Sequence, residues 1–533
     1  MIQPEKDDGN IEYKLKLINK NADKIEHLES QMRYRLNEGN GEAIYIIGVT
    51  DNGIIVGVTD DDFKESFNNL LIAAKKSSFT ISMLSNKKVD NDKKVYELLV
   101  REKNDQKYID IKVAIAGNVD AGKSTLLGVL TSGKNDDGRG SARLEVFNFA
   151  HEVSSGRTSS IAHHILGFNE KGKTVNYDSM HKKGWPDIVK ESSKIISFFD
   201  LCGHEKYFKT TILGLTSSFP DLCLILIAAN TGINIMTQEH IFLCVTLNIP
   251  FAIIITKIDI CNNRQNILQN TINSVNKLLK MPGLRRIPYK INNLDDVILC
   301  SKNVKSESIV PIFHISSVSG TGIDNLKMFF NLLTKITCNI KETKEVEYHI
   351  DTTFTVPGIG TVIGGQLISG TISIGDKLLL GPNNGQYITV QIKSIHCKKV
   401  PLQTVKYGSY ICLGLKKISR SDIRRGNVLL SMTSNPIAVQ EFEADITVLK
   451  THSTTIKPGY EPVIHSCSMR QSATLISIRN KRNDRNIEQQ DNILRTGDKA
   501  TVLFKFRYRP EYIKSGSKLL LAEGKVKVIG IVK

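Results

Sequence analysis

Gly117, Asn118, Val119, Asp120, Ala121, Gly122, Lys123 and Ser124 fit the spacing G-x-x-x-x-G-K-[ST]. A strand-like apolar run, 112–116, precedes them, and a helix-like segment opening at Thr125 follows. That context is what polyphosphate binding requires, because small residues let successive backbone N–H groups close around the anion while the helix directs its positive end at it. Lys123 supplies a point charge to the β and γ phosphates, and the Ser124 hydroxyl is expected to hold Mg2+.

Further elements follow in the order that a nucleotide switch needs. Asp200 ends a second apolar run and is expected to bind Mg2+ through water, with the Gly203 N–H at the γ phosphate and His204 directly after it. Thr256, Lys257, Ile258 and Asp259 end another run. A carboxylate at Asp259 accepts from N1–H and the 2-amino group of guanine, whereas adenine offers an acceptor at N1 and no 2-amino donor, so GTP is expected over ATP. Ser316, Ser317 and Val318 end the last run, where backbone N–H groups can bind the guanine carbonyl oxygen. Thirty-five positions separate Lys123 from Thr158, the candidate threonine for closing on Mg2+ and the γ phosphate.

The elements that must position these residues change character along the chain. Residues 1–110 alternate extended stretches (11–18, 43–50, 53–58, 79–84, 94–101) with helical ones (22–36, 61–75), and Asp51, Asn52 and Gly53 form a hairpin signal. The order β-α-β-β-α-β predicts a small split βαβ-like α/β domain. Residues 111–340 carry buried apolar strands at 112–116, 195–200, 222–228, 251–256 and 312–315, the pattern of a parallel sheet covered on both faces, hence an α/β P-loop domain. Beyond 341 the pattern is short strands and Gly/Pro turns, which predicts two β-barrels, 341–435 and 436–533, meeting near Asn435 and Pro436.

Composition bounds the rest. A chain of 533 residues with 41% hydrophobic and 23% charged residues implies three or four globular domains. The longest apolar run, 222–229, is too short to span a bilayer, and residues 1–8 do not read as a leader, so no membrane contact and residence in the cytoplasm are expected. Nine cysteines without a C-x-x-C pair read as buried thiols. Residues 393–425 hold nine Lys and Arg against one acid, and residues 470–533 hold fifteen against six, which together equal the net charge of +17. RNA, ribosomal surfaces and acidic lipids suit such a surface. Within it Lys481, Arg482 and Arg485 group beside Arg479, and Arg507 and Arg509 alternate with Phe506 and Tyr508 on what reads as a strand.

The segments GNVDAGKSTLLGVL (117–130), EVSSGRTSS (152–160), DLCGHEKY (200–207), VPGIGT (356–361) and RTGDKATV (495–502), with 12–17 and 41–57, resemble the GTP-binding protein 1 and 2 subfamily, relatives of elongation factor Tu and of eukaryotic release and rescue GTPases. The resemblance implies a monomeric GTPase that hydrolyses GTP with Mg2+, with two barrels arranged as in elongation factors and a role touching tRNA, the ribosome or mRNA surveillance. It also implies that His204 orients the attacking water, and the long first switch agrees. A GTP-controlled adaptor for RNA-decay machinery is the alternative, and a metabolic GTPase such as the regulatory subunit of ATP sulfurylase a more distant one. Three positions depart from the broader class. Thr256 replaces the usual Asn, which is expected to weaken contacts to guanine and the phosphate loop, Cys202 replaces a proline, and Arg157 replaces an apolar partner of Val119 in a gate before His204.

Overall fold

The computed structural model describes residues 4–533 except 7, 19, 20, 40, 91, 103–107, 148–151, 153–160, 179, 180, 263, 282, 307, 336–342, 450–454, 483–491 and 524. The first sheet consists of β1 (Ile11–Lys14), β2 (Glu42–Ile47), β3 (Phe79–Asp90) and β4 (Lys93–Glu102), in the order β1-β2-β4-β3. Helix α1 (Ala22–Glu38) joins the parallel neighbours β1 and β2, and α2 (Asp60–Lys76) leads into the antiparallel hairpin β3–β4. Both helices start on side-chain caps, Asn21 accepting from the Lys24 N–H and Thr59 from the Asp62 N–H.

The expected small α/β domain is therefore present, with the order β-α-β-α-β-β instead of β-α-β-β-α-β. Residues 53–58 form only the isolated bridges Val49–Ile55 and Val58–Lys94. Ile54, Ile55 and Val56 are exposed, so an alternating apolar face has nothing to bury against. The turn does form, with the Gly53 N–H donating to the Thr50 carbonyl at 2.8 Å and Gly53 at φ +78°.

The second sheet has seven strands in the order β10-β11-β9-β8-β5-β7-β6. They are β5 (Ile109–Gly117), β6 (Ala162–Phe168), β7 (Lys194–Asp200), β8 (Leu222–Ala228), β9 (Phe251–Thr256), β10 (Ile287–Lys290) and β11 (Ile309–His314). All pairings are parallel except β6–β7, and β8 and β9 are buried at every position, as a sheet covered on both faces requires. The edge strands β6 and β10 are additions to the five expected from sequence.

One face of this sheet shares its core with the first domain: Tyr13, Ile44 and Leu99 pack in one cluster with Ile111, Phe313 and Phe329. At the centre of that contact lies a buried charged group. The Glu42 carboxylate receives Arg101 Nε and Lys194 Nζ, each at 2.7 Å, while Lys194 also donates to the carbonyls of Asn331 (2.6 Å) and Leu333 (2.7 Å). Burial opposes ionisation of Glu42, yet Lys194 and Arg101 hold its carboxyl below the ordinary range.

Two six-stranded β-barrels complete the chain. In the first, Glu347–Val356, Gly360–Ser369, Tyr410–Lys416, Gln386–Cys397, Lys377–Asn383 and Val428–Ser431 close a ring, to which Val400–Leu402 is added. It is fastened to the P-loop domain by Lys398 to Asp110 (2.6 Å) and Lys112 to Gln366 (2.7 Å). The second barrel is closed by Glu441–Val448, Lys499–Phe506, Met469–Arg482, Val463–Ser466, Lys518–Glu523 and Lys525–Val532.

This barrel corrects the basic surface expected from sequence. Lys481 is 3% exposed and pairs with Asp498 at 3.3 Å, because its side chain turns inward on a long strand; Arg485 lies outside the described residues. Arg479 pairs with Glu443 at 3.0 Å. The strand ends at Phe506, so Arg507 and Arg509 sit in a bend instead of alternating on a strand, and they face Glu461 and Glu511. Elsewhere, the eight described cysteines are free thiols, mostly buried. Among the described residues no helix is long and apolar enough to cross a membrane.

Candidate functional site

β5 lies where the strand order reverses, with β8 on one side and β7 on the other, so a crevice opens beyond its carboxyl end. The loop after β5 turns through Asp120 (φ +59°) and Gly122 (φ +84°) into helix α3 (Lys123–Ser132), the geometry that turns backbone N–H groups inward. Gly117 permits a close approach: a Cβ there would lie 2.6 Å from the Leu226 carbonyl oxygen. Lys123 is buried and its Nζ donates to the carbonyls of Gly117 (3.2 Å) and Asn118 (2.8 Å). Burial lowers the affinity of Lys123 for its proton, while the nearby Asp200 carboxylate opposes that shift.

Asp200, at the end of β7, meets this loop. The Ser124 hydroxyl donates to its carboxylate at 2.9 Å. A hydroxyl and a carboxylate side by side at a phosphate cradle are hard oxygen donors that fit Mg2+. Among the described residues no group of three or more His, Cys, Asp or Glu could hold a metal ion. Thr158, the third expected ligand, lies outside the described residues together with Arg157. Gly203 is tightly placed, since a Cβ on it would fall 2.3 Å from Lys123 Nζ. Cys202 is buried, its thiol pushed up to about 12 by burial and then by Asp200. Its carbonyl accepts from Thr211 at 2.7 Å, which ties the loop to the helix Phe208–Ser218.

His204 caps the short turn Glu205–Tyr207, its Nδ1 accepting from the Lys206 N–H at 3.1 Å. With Nδ1 so used, the neutral ring carries its proton on Nε2 and offers a donor there.

The base-recognition candidates come from β9 and β11. The Thr256 hydroxyl donates to the Ala121 carbonyl at 2.8 Å, so threonine makes a direct bond to the phosphate loop. Lys257 adopts φ +59° and sends its stem past Gly122, where a Cβ would be 4.0 Å from Lys257 Cε. Asp259 lies in the single turn Ile258–Cys261, whose Ile258 N–H donates to the Ile315 carbonyl at 3.4 Å and so joins the two loops. The buried Ser316 hydroxyl accepts from the N–H groups of Val318 (3.2 Å) and Ser319 (3.1 Å), curling the loop that contains Ser317.

One participant was missed from sequence. Asp136 donates its N–H to the Ser317 carbonyl at 2.9 Å and accepts three backbone N–H groups on its carboxylate. A Gly-Arg-Gly run next to two aspartates was its only sequence signal.

The family profile described as elongation factor Tu GTP binding domain matches residues 110–342, and that of elongation factor Tu domain 2 matches 360–430. The chain is 43% identical over 543 residues to GTP-binding protein 2 of Homo sapiens, covering 100% of this chain and 88% of that protein. It is 42% identical over 529 residues to GTP-binding protein 1 of Xenopus laevis, covering 98% and 78%. Among solved structures it is similar to translation elongation factor SelB from Methanococcus maripaludis in complex with the GTP analogue GppNHp, with a TM-score of 0.55 at 19% identity over 80% of this chain and 79% of that one, a likeness of fold.

Proposed function

The chain belongs to the GTP-binding protein 1 and 2 subfamily of elongation factor Tu-like translational GTPases, enzymes that bind and hydrolyse GTP, and on that premise we propose that it works as a GTP-dependent switch on tRNA and the ribosome. One observation carries this reading. The helix Phe208–Ser218, which follows His204, rests on the last barrel, with the Thr216 hydroxyl donating to the Cys467 carbonyl at 2.9 Å. Loss of the γ phosphate at Gly203 would therefore reach the barrels through a direct contact.

In this mechanism the N–H groups from Asn118 to Thr125 hold the phosphates, and Lys123 exchanges its carbonyl partners for phosphate oxygens. Ser124, Thr158 and, through water, Asp200 would hold Mg2+, which when bound neutralises charge on the β and γ phosphates. Asp259 selects guanine together with the Ser317 N–H, because the Ser316 N–H is taken by the Thr321 carbonyl at 3.1 Å and the Val318 N–H by the Ser316 hydroxyl at 3.2 Å. His204 acts from Nε2–H, orienting the attacking water or donating to the γ phosphate, because its Nδ1 is occupied by the Lys206 N–H.

With Arg479, Lys481, Arg507 and Arg509 paired or buried, the surface proposed to face RNA lies on the first barrel rather than the last. Lys416, Lys417 and Arg420 are exposed there, and among the described residues none has a carboxylate within 4.0 Å. Each phosphate neutralised by such a group contributes about one unit to the slope of log affinity against log salt. Titration of labelled tRNA over a salt series should show tighter binding to the GTP form than to the GDP form, and a shallower slope when the three residues are changed to Ser. Ribosomes should stimulate GTP turnover. Equal binding by both nucleotide forms and a rate indifferent to ribosomes would overturn the proposal, and indifference to ribosomes together with RNA binding would favour the RNA-decay adaptor.

A further inference from the structure

The segment directly after α3 is built as a rigid tie between the phosphate side of the nucleotide site and its base side. Asp136 is nearly buried. Its Oδ2 accepts from the N–H groups of Gly138 (3.0 Å) and Gly140 (3.2 Å), and its Oδ1 from the Ala142 N–H (3.0 Å). The two glycines stand at φ +80° and +90°, left-handed conformations that let three N–H groups converge on one carboxylate. Ala142, in the short helix Ser141–Leu144, sits so close to α3 that a Cβ on Gly128 would lie 2.0 Å from its carbonyl oxygen. One end of the tie is thus fixed to the helix that carries Lys123 and Ser124.

Its other end meets the loop assigned to the guanine carbonyl. The Asp136 N–H donates to the Ser317 carbonyl at 2.9 Å, and the Asn135 amide would stand 3.1 Å from a Cβ on Gly320. A peptide unit is planar and trans, so holding the Ser317 carbonyl sends the Val318 N–H of the same unit the opposite way, where the Ser316 hydroxyl receives it. The Ser316 N–H is taken by the Thr321 carbonyl at 3.1 Å, so the Ser317 N–H is left to face O6 of guanine, and fixing the Ser317–Val318 peptide fixes the residue that carries it.

We propose that Asp136 is a positioning residue for guanine, acting through the Ser317–Val318 peptide. The proposal rests on the assignment of Ser316, Ser317 and Val318 to the base. Asp136→Ala removes all three acceptor bonds and frees the loop, so the peptide loses its fixed orientation. Asp136→Asn keeps one acceptor oxygen in place of two and should fall between the parent protein and Asp136→Ala.

The test uses the full chain and three diphosphates: GDP, xanthosine diphosphate, and 2-aminopurine riboside diphosphate, which lacks O6. Asp136→Ala should weaken GDP and GTP about equally, by about tenfold, which corresponds to about 1.4 kcal/mol. Binding of the 2-aminopurine nucleotide, already weak, should fall no further. Gly138→Ala, which strains the left-handed turn beside Val318, should reproduce the pattern if Asp136→Ala does not fold. Asp259→Asn serves as the control for the base site, since it should exchange guanine for xanthine preference. An unchanged GDP affinity in Asp136→Ala, or an equal loss for GDP and the 2-aminopurine nucleotide, would overturn the inference while Asp259→Asn behaves as stated. If Asp259→Asn shows no exchange, the base-site assignment itself fails.

Discussion

Replacing Thr256 by Val keeps the shape of the side chain and removes its hydroxyl. In the structure that hydroxyl is buried, donates to the Ala121 carbonyl at 2.8 Å and lies 3.4 Å from the Ile227 carbonyl. Leaving a buried acceptor without its donor costs about 1–3 kcal/mol. Ala121 is itself buried, so water does not readily replace the lost bond, and the lower end of that range is the least the change should cost. The loop is held by this bond before nucleotide arrives, hence the loss appears as a less ordered cradle. At about 1 kcal/mol the dissociation constants for GTP and GDP should both rise about fivefold. Titration of a fluorescent GDP analogue, with GTP measured by displacement, reads this directly. Because the bond touches the β phosphate side of the loop, the ratio of the two constants should not change. If Thr256→Val binds both nucleotides like the parent protein, the hydroxyl does not order the loop, and the threonine is not a working substitute for asparagine. If only GTP is weakened, the effect runs through the γ phosphate sensor and the reasoning is equally wrong.

His204→Ala should bind GTP within twofold of the parent while single-turnover hydrolysis falls by roughly 10²-fold, since the ring acts in the transition state; parallel losses in both would refute that separation. Lys194→Met leaves Glu42 with Arg101 alone and removes three hydrogen bonds, so the contact between the first domain and the P-loop domain should weaken by about 3 kcal/mol, measured as faster hydrogen exchange in β2. Adding Glu42→Gln should recover part of the loss, and simple additivity would argue against a coupled cluster. Burial pushes His163, His164 and His314 down to about 4, and His240 and His465 to about 3. Their folded values lie below the ordinary 6.5, so the unfolded chain takes up protons first and stability falls as pH drops from about 6.5 toward 4. Melting curves at pH 7.5 and pH 5 should differ accordingly, and identical curves would show that these rings are not desolvated.

What could be read from the residues follows the distance over which each piece of chemistry is built. The phosphate loop is contiguous, and its glycines, lysine and serine need only the strand before and the helix after, so residues 117–125 and the strands that end at Asp200 and Thr256 were legible as local patterns. The edge strand β6 was not, because its partly exposed His163 and His164 interrupt the apolar signal that marks its buried neighbours. The same limit explains the basic groups. Counting charges cannot tell that Lys481 turns inward to Asp498 or that Arg507 meets Glu461, since each partner comes from another part of the chain. Asp136 is the clearest case, for its acceptor bonds are local but the bond that matters reaches Ser317 across most of the P-loop domain. A nucleotide site of this kind has two layers. The groups that touch the ligand are dictated by ligand chemistry and recur as short patterns. The groups that hold those patterns in register, such as Thr256 against Ala121 and Asp136 against Ser317, depend on which loops the sheet order brings together, and β5, set between β8 and β7, brings together loops that the sequence keeps far apart. Substitutions in this second layer can preserve every motif residue and still change affinity, so the departures from family pattern at such positions are the ones to test first.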